Sequence, residues 1–178
     1  MDKDIESILF SEEQLQECVK RIAGEITRDF HGREPVFVCV LKGSFVFFAD
    51  LVRSVELRSR VDFIAASSYG SGSTTTGNVK ITKDLSTNVE GMDVIVVEDI
   101  IDSGLTLSFL RKFLQQKNAA SVSLVTLLDK PERRRVELKP DYVGFQIPDK
   151  FVVGYGLDYA EQYRELPYVG ILKPSVYE

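Results

Sequence analysis

Val94-Ile95-Val96-Val97-Glu98-Asp99-Ile100-Ile101-Asp102-Ser103-Gly104-Leu105-Thr106-Leu107 is the stretch on which the reading of this chain turns. It predicts a strand, a short acidic turn and the start of a helix. Val94 to Val97 are consecutive apolar residues with no polar alternation, the pattern of a strand covered on both faces. Glu98, Asp99, Asp102, Ser103 and Gly104 crowd into the turn. Leu107, Leu110, Phe113 and Leu114 then recur at helical spacing. Such a strand-to-helix turn points backbone N–H groups and hydroxyls outward, which suits a phosphate. Gly104 leaves room for a ligand and reaches backbone angles closed to other residues. Glu98 and Asp99 stand at the strand's end, where open α/β sheets bind ligands. Turn chemistry alone leaves a plainer alternative, since Asp, Ser and Gly also serve simply to cap helices. The acidic pair shifts the balance: two adjacent carboxylates repel a phosphate unless ribose hydroxyls or a metal ion lie between.

The chain has 178 residues, enough for one domain with a sizeable core. Its 44% hydrophobic and 28% charged content is ordinary for a soluble globular protein. No apolar run approaches the length of a membrane span. The acidic opening Met1-Asp2-Lys3-Asp4-Ile5-Glu6 does not begin a signal peptide, and a cytoplasmic location is expected. A net charge of −5 argues against a nucleic-acid surface. Acidic residues alone cannot hold phosphates, so magnesium is the natural mediator. Cys18 and Cys39 lie in apolar patterns outside any CxxC and read as reduced thiols in or near the core. The single histidine, His31, follows a helix end and has no nucleophile or zinc partners.

Outward from the central stretch, strands and helices alternate. Ser11-Glu12-Glu13-Gln14 reads as a capping box. It opens a helix whose apolar stripe is Leu15, Val19, Ile22, Ala23, Ile26 and Phe30, with Gly32 as its stop. Val36 to Leu41 is a second buried strand, Lys42-Gly43-Ser44 a turn, and Phe45 to Val52 a helix. From spacing alone Lys42 is a solvated turn lysine. Val61 to Ser68 is a third strand, followed by a glycine- and threonine-rich loop over Tyr69 to Asn78. That loop is neither a G-x-G-x-x-G nor a P-loop. Its composition fits a mobile lid spanning about residues 68–80, which suits chemistry that must exclude water. Ser121 to Leu128 is a further strand, ended by Asp129-Lys130-Pro131 and the run Arg133-Arg134-Arg135. Arg133 and Arg135 read as a solvated face. Alone, Phe151 reads as core and Asp158 as a turn cap. The alternation implies a parallel α/β sheet with right-handed crossovers.

The central stretch closely resembles the phosphoribosyl diphosphate (PRPP) motif of the type I phosphoribosyltransferases: two acidic residues in apolar context, then D-[ST]-G-x-T. The detail E-D-I-I-D-S-G resembles the hypoxanthine-guanine branch, and so does Pro140-Asp141-x-Val143-Gly144-Phe145-x-Ile147-Pro148-Asp149-x-Phe151-Val152-Val153-Gly154-Tyr155-Gly156-x-Asp158-Tyr159. The likeness runs from about Val36 to Tyr168. It implies a twisted parallel sheet flanked by helices, as one domain over residues 1–178. A small hood is expected from about 141–178 plus the N-terminal segment. The implied reaction joins a purine base to PRPP, giving a nucleoside monophosphate and pyrophosphate.

The resemblance also implies roles. Asp102 becomes the general acid or base near purine N7, while Glu98 and Asp99 serve the ribose hydroxyls, partly through magnesium. Asp102, Ser103, Gly104, Leu105 and Thr106 form the 5′-phosphate loop. Lys42, Gly43 and Arg164 serve pyrophosphate, with a cis peptide at the Leu-Lys-Gly turn, and Ser68 and Tyr69 close from the lid. Asp158 carries a second magnesium. Lys130, with Arg134 a weaker match beside it, meets the 6-oxo group. Phe151 stacks on the ring and Val152 reads the base edge. Leu105 departs from relatives that place a lysine in the phosphate loop. Expected substrates are PRPP, hypoxanthine and guanine, with IMP, GMP and pyrophosphate as products and neither nucleic acid nor membrane as partner. A homo-oligomer, dimer or tetramer, is expected. Two other classes compete: a nucleic-acid-binding regulator built on the same fold, and a phosphatase or kinase using the acidic turn. The acidic balance and Asp102 argue against the first, the lack of a Walker motif against the second.

Overall fold

A computed structural model describes residues 2–68 and 79–177. In chain order the elements are β1 (Ile5–Phe10), α1 (Glu12–Asp29), β2 (Val36–Leu41), α2 (Phe45–Ser54), β3 (Arg60–Ser68), β4 (Val79–Lys83) and β5 (Asp93–Ile101). There follow α3 (Leu105–Gln116), β6 (Ser121–Asp129), β7 (Tyr142–Gln146), β8 (Val152–Val153), β9 (Val169–Leu172) and α4 (Pro174–Tyr177). Six strands form the main sheet in the order β4-β3-β2-β5-β6-β7. All neighbours in it are parallel except β3 and β4.

The uninterrupted apolar runs of β2 and β5 follow from cover on both faces. Phe37, Cys39, Ile95 and Val97 point to one side and pack with Leu15, Ile22 and Ile26 of α1 and Phe47 and Leu51 of α2. Val36, Val38, Val94 and Val96 point to the other and pack with Leu107, Leu110 and Leu114 of α3. Each strand thus feeds two cores, and a polar residue at either parity would be buried without partners. The predicted capping box closes α1: the Gln14 N–H donates to Ser11 Oγ at 3.3 Å, and the Ser11 N–H donates to Gln14 Oε1 at 2.9 Å.

A second sheet, β1-β9-β8, is antiparallel and forms the hood. Its own core gathers Val153, Tyr163, Leu166 and Leu172. Residues 142–146, expected in the hood, instead pair with β6 as the last strand of the main sheet. Their side chains explain this. Tyr142 is buried in the α1 side of the core, and a Cβ at Gly144 would stand 2.4 Å from Leu127 O, so only glycine permits that strand contact. The acidic turn is also displaced from expectation. Strand β5 runs on through Glu98 and Asp99 to Ile101, since the parallel ladder to β6 continues as far as Ile101↔Asp129. Of the residues expected in a lid, Ser68 ends β3 and 79–80 begin β4. Tyr69 to Asn78 lie outside the described residues.

Asp62 of β3 pins the segment after β4. Its buried carboxylate accepts from the backbone N–H groups of Phe63 (2.8 Å), Ser86 (2.9 Å) and Thr87 (2.7 Å). Burial pushes the carboxyl up, but these donors outweigh it and hold it below the usual range. A folded pKa below the unfolded value of about 3.9 gives stability that is present above that pH and lost as the pH falls through the folded value. Asp62→Asn is therefore expected to cost about 1–3 kcal/mol at pH 7. The difference from the unmodified chain shrinks below about pH 4, and urea unfolding at both pH values checks it.

Candidate active site

The C-terminal ends of β2, β5 and β6 open toward the hood, and the candidate residues meet there. A cleft of about 450 Å³ is lined by six of them: Asp99, Asp102, Lys130, Phe151, Val152 and Asp158. A smaller cavity of about 150 Å³ is lined by Glu98, Asp102, Ser103, Gly104 and Thr106. Asp102 belongs to both. Leu105, expected in the loop, is the first residue of α3 and is absent from that lining.

The small cavity is the turn between β5 and α3. Gly104 has φ 79°, a left-handed angle that reverses the chain into the helix. Its Cα also packs against Arg134, so an added Cβ would stand 2.9 Å from Arg134 Cδ. Arg134 donates from Nη1 to Asp102 O at 2.9 Å and pairs through Nη2 with the Asp129 carboxylate. The Arg135 N–H donates to Ser103 O at 2.9 Å. The loop is thus shaped from behind by the segment after β6. In front, the first helical N–H groups have no acceptor one turn back, the general basis of anion binding at such turns.

Glu98 is buried, accepts from Ser44 Oγ at 3.3 Å, and sits beside Asp99. Burial first, then the Asp99 charge, pushes the Glu98 carboxyl well above its ordinary range. Burial raises Asp99 as well. Asp99 lies directly over Gly43, where a Cβ would come within 1.7 Å of Asp99 Oδ2. The Leu41–Lys42 peptide bond is cis, as the Leu-Lys-Gly turn implied.

Two chains of alternating charge flank this centre. In the first, Arg133 Nε reaches Asp102 Oδ1 at 3.0 Å, Arg133 Nη1 reaches Asp149 Oδ2 at 3.1 Å, and Asp149 Oδ1 faces Lys130 Nζ at 3.5 Å. Arg133 stays exposed, as the solvated-face reading expects, but it also pairs across the cleft. The short helical turn Pro131–Arg133 swings its side chain back into the cleft it helps to line. Lys130 is 7% exposed, its N–H bound to Ile101 O at 2.9 Å, so its backbone is fixed at the tip of β5. In the second chain, Lys42 Nζ pairs with Glu161 Oε2 at 2.9 Å, and Arg164 Nη2 pairs with Glu161 Oε1 at 3.4 Å and Asp158 Oδ1 at 3.1 Å.

Phe151 is 38% exposed and not core. Its ring stacks on Tyr177 at 4.9 Å and meets Tyr159 edge-on at 5.6 Å. Val152 pairs with Ile171 in the hood sheet. Ser68 ends β3, and Tyr69 lies outside the described residues. Sequence reasoning missed Arg133, Asp149, Glu161 and Tyr177. For Arg133 the proximity to Lys130 was a signal, and for Glu161 the spacing of three to Asp158 and to Arg164; for Asp149 and Tyr177, remote pairing left none in the local pattern.

A buried carboxylate beside a partly buried one is a donor set that suits a hard cation. Among the described residues no three acidic, histidine or cysteine side chains converge as a complete metal cage. A magnesium ion shared with substrate oxygens needs only one or two carboxylates, so Glu98 and Asp99 fit it.

With this geometry in view, the likenesses to known proteins fall into one family. The phosphoribosyl transferase domain model matches residues 8–160. The hypoxanthine-guanine phosphoribosyltransferase of Bacillus subtilis is 52% identical over all of this chain and 99% of its own length. A bifunctional TilS/HprT protein of Listeria monocytogenes is 54% identical over 99% of this chain, which spans 27% of that longer protein. The crystal structure of a Staphylococcus aureus hypoxanthine phosphoribosyltransferase superposes with a TM-score of 0.97 at 45% identity, covering 100% of this chain and 97% of that one. A Bacillus anthracis hypoxanthine-guanine phosphoribosyltransferase superposes at 0.92 with 56% identity, covering 95% and 99%. A strand-to-helix phosphate turn, an acidic pair at its root and these full-length likenesses agree: the chain belongs to the phosphoribosyltransferase family, in its hypoxanthine-guanine branch.

Proposed function

We propose that this chain is a magnesium-dependent purine salvage transferase. It moves the 5-phosphoribosyl group of PRPP to hypoxanthine, and to guanine, giving IMP or GMP and pyrophosphate. The observation that carries the reading is that Asp102 lines both cavities at once. A base in the larger cleft and a 5′-phosphate in the smaller would then share one carboxylate between them.

In this reading the bond from the purine nitrogen to the anomeric carbon forms as the bond to pyrophosphate breaks, through an oxocarbenium-like state. Asp102 takes or returns the proton at N7. Its Oδ1 is held by Arg133, which leaves Oδ2 without a protein partner among the described residues. Ser103, Gly104, Leu105 and Thr106 hold the 5′-phosphate. Lys42, Gly43 and Arg164 hold pyrophosphate, with Ser68 and Tyr69 closing over it. Glu98 and Asp99 hold the ribose hydroxyls and one magnesium, and Asp158 holds a second. When bound, the cation supplies charge that stabilises the leaving group. Phe151 stacks on the base, Val152 meets its edge through the backbone, and Lys130 donates to the 6-oxo group.

A cytoplasmic location fits two buried, unpaired cysteines, with burial pushing the Cys39 thiol up to about 12. Among the described residues no helix is long and apolar enough to cross a membrane. A homo-oligomer is the proposed assembly, supported by exposed Phe45, Val61 and Phe63 on the side of β3 beside α2.

A positioned acid–base group contributes about 10²–10⁴-fold to rate. Asp102→Asn is expected to lower kcat within that range while KM for PRPP moves only a few-fold; unchanged kcat with chemistry rate-limiting would remove the role. Activity is expected to vanish in EDTA and return with magnesium. Asp158→Ala should raise the magnesium requirement more than KM for the base, so full activity in chelator dismisses the proposed metal ligands. Lys130 is donor-only and opposes the amino group of adenine, so the chain should prefer 6-oxopurines by roughly 10⁴-fold. Lys130→Gln should narrow that ratio; kcat/KM for hypoxanthine and adenine in both proteins checks it.

A further inference from the structure

Glu161 sits at the tip of a tight hairpin in the hood. Tyr159 and Gln162 exchange backbone hydrogen bonds at 3.2 and 3.0 Å across it. The two residues between them, Ala160 and Glu161, have φ of 51° and 65°. Two-residue turns with both central residues left-handed favour asparagine and glycine, and an Ala-Glu pair fits them poorly. The backbone gives no reason for glutamate at this place. Its side chain gives one: Oε2 takes Lys42 and Oε1 takes Arg164. Those are the two cationic side chains assigned above to pyrophosphate, so one carboxylate spans both with one oxygen each.

We propose that Glu161 competes with pyrophosphate for Lys42 and Arg164, and thereby weakens pyrophosphate retention and speeds its release. The inference rests on the assignment of those two cations to pyrophosphate. Both cannot serve a bridging carboxylate and a multiply charged anion in full. Arg164 survives the exchange in place, because Gly156 O accepts from its Nη1 at 2.7 Å and Asp158 Oδ1 holds its Nη2 at 3.1 Å. Lys42 is the more mobile partner: its side chain is 68% exposed, and Glu161 is its one ion-pair partner among the described residues. Glu161 itself is anchored through its N–H, which donates to Asp158 Oδ2 at 2.9 Å, so the carboxylate stays beside the cations and reclaims them. Exposed ion pairs are individually weak. The competition therefore tunes affinity and does not block the site.

The test is calorimetric titration of magnesium pyrophosphate, and separately of IMP, into the full chain and its Glu161→Gln form, with Glu161→Asn as a second variant suited to a left-handed turn. Both variants are expected to bind pyrophosphate about three- to tenfold tighter, the scale of a weak exposed pair, with IMP affinity unchanged. Product inhibition by pyrophosphate should strengthen in parallel. Unchanged or weaker pyrophosphate binding in both variants overturns the inference, as does an equal gain for IMP. Arg164→Gln separates the two levels of the argument. If it leaves pyrophosphate affinity of the unmodified chain intact, the assignment of the cations is wrong and the inference goes with it.

Discussion

Much of this site depends on one close stack: the Asp99 carboxylate over Gly43, and the Gly43 backbone over Gly156. A Cβ on Gly43 would strike Asp99 Oδ2 at 1.7 Å, and a Cβ on Gly156 would strike Gly43 O at 2.2 Å. The end of β5, the turn after β2 and the hood are thereby brought within contact at a distance that only glycine allows. Arg164 is fixed against the same column through Gly156 O. The stack does not stabilise by itself. The apolar cores on both faces of the sheet hold the strands parallel, and their stability is what tolerates two adjacent acids at the strand end. Burial raises both carboxyls, and the Asp99 charge adds to the rise at Glu98; a divalent cation would offset the charge gathered there.

The charged residues around this column are arranged as alternating chains and not as isolated pairs. Asp102–Arg133–Asp149–Lys130 borders the base cleft, and Lys42–Glu161–Arg164–Asp158 borders the opposite side. Most of these contacts are solvent-exposed and add little to folding stability. What they supply is placement: each charged side chain is held between oppositely charged neighbours. Buried Lys130 is the exception. Its 9% side-chain exposure makes Asp149 more than ornamental there, because an unpaired ammonium at that depth would be costly.

The sequence pattern revealed the elements whose logic is local. The capping box of α1, the apolar parity of β2 and β5, and the glycine after Ser103 each follow from a few neighbouring residues. The limits of β5 did not, because Glu98 and Asp99 look like turn residues until the ladder to β6 carries the strand past them. Strand β4 was missed, since Val79–Lys83 is only five residues long and is held by pairing to β3 from Ser68↔Val79 to Ala65↔Lys83. The misplacement of residues 142–146 has the same origin: a motif shared along the last quarter implied one structural unit, while strand pairing divided it. Arg133 shows the limit for side chains. A run of three arginines has no local feature that sends one into a cleft, one behind a loop and one elsewhere; the short helical turn after Pro131 does that.

The turn between β5 and α3 shows how such a distribution is built from behind. Leu105 brings no charge to the loop. Its N–H is instead engaged by Ser103 Oγ at 3.3 Å. The guanidinium of Arg134 lies behind the loop, bound to Asp102 O and to buried Asp129. A cation in that position does not compete for the face a phosphate would use. It holds the carbonyl of Asp102 turned back toward the segment after β6. The same residue blocks any side chain at position 104. In this turn the charge lies behind the loop, and the glycine at position 104 is what lets the guanidinium approach so closely.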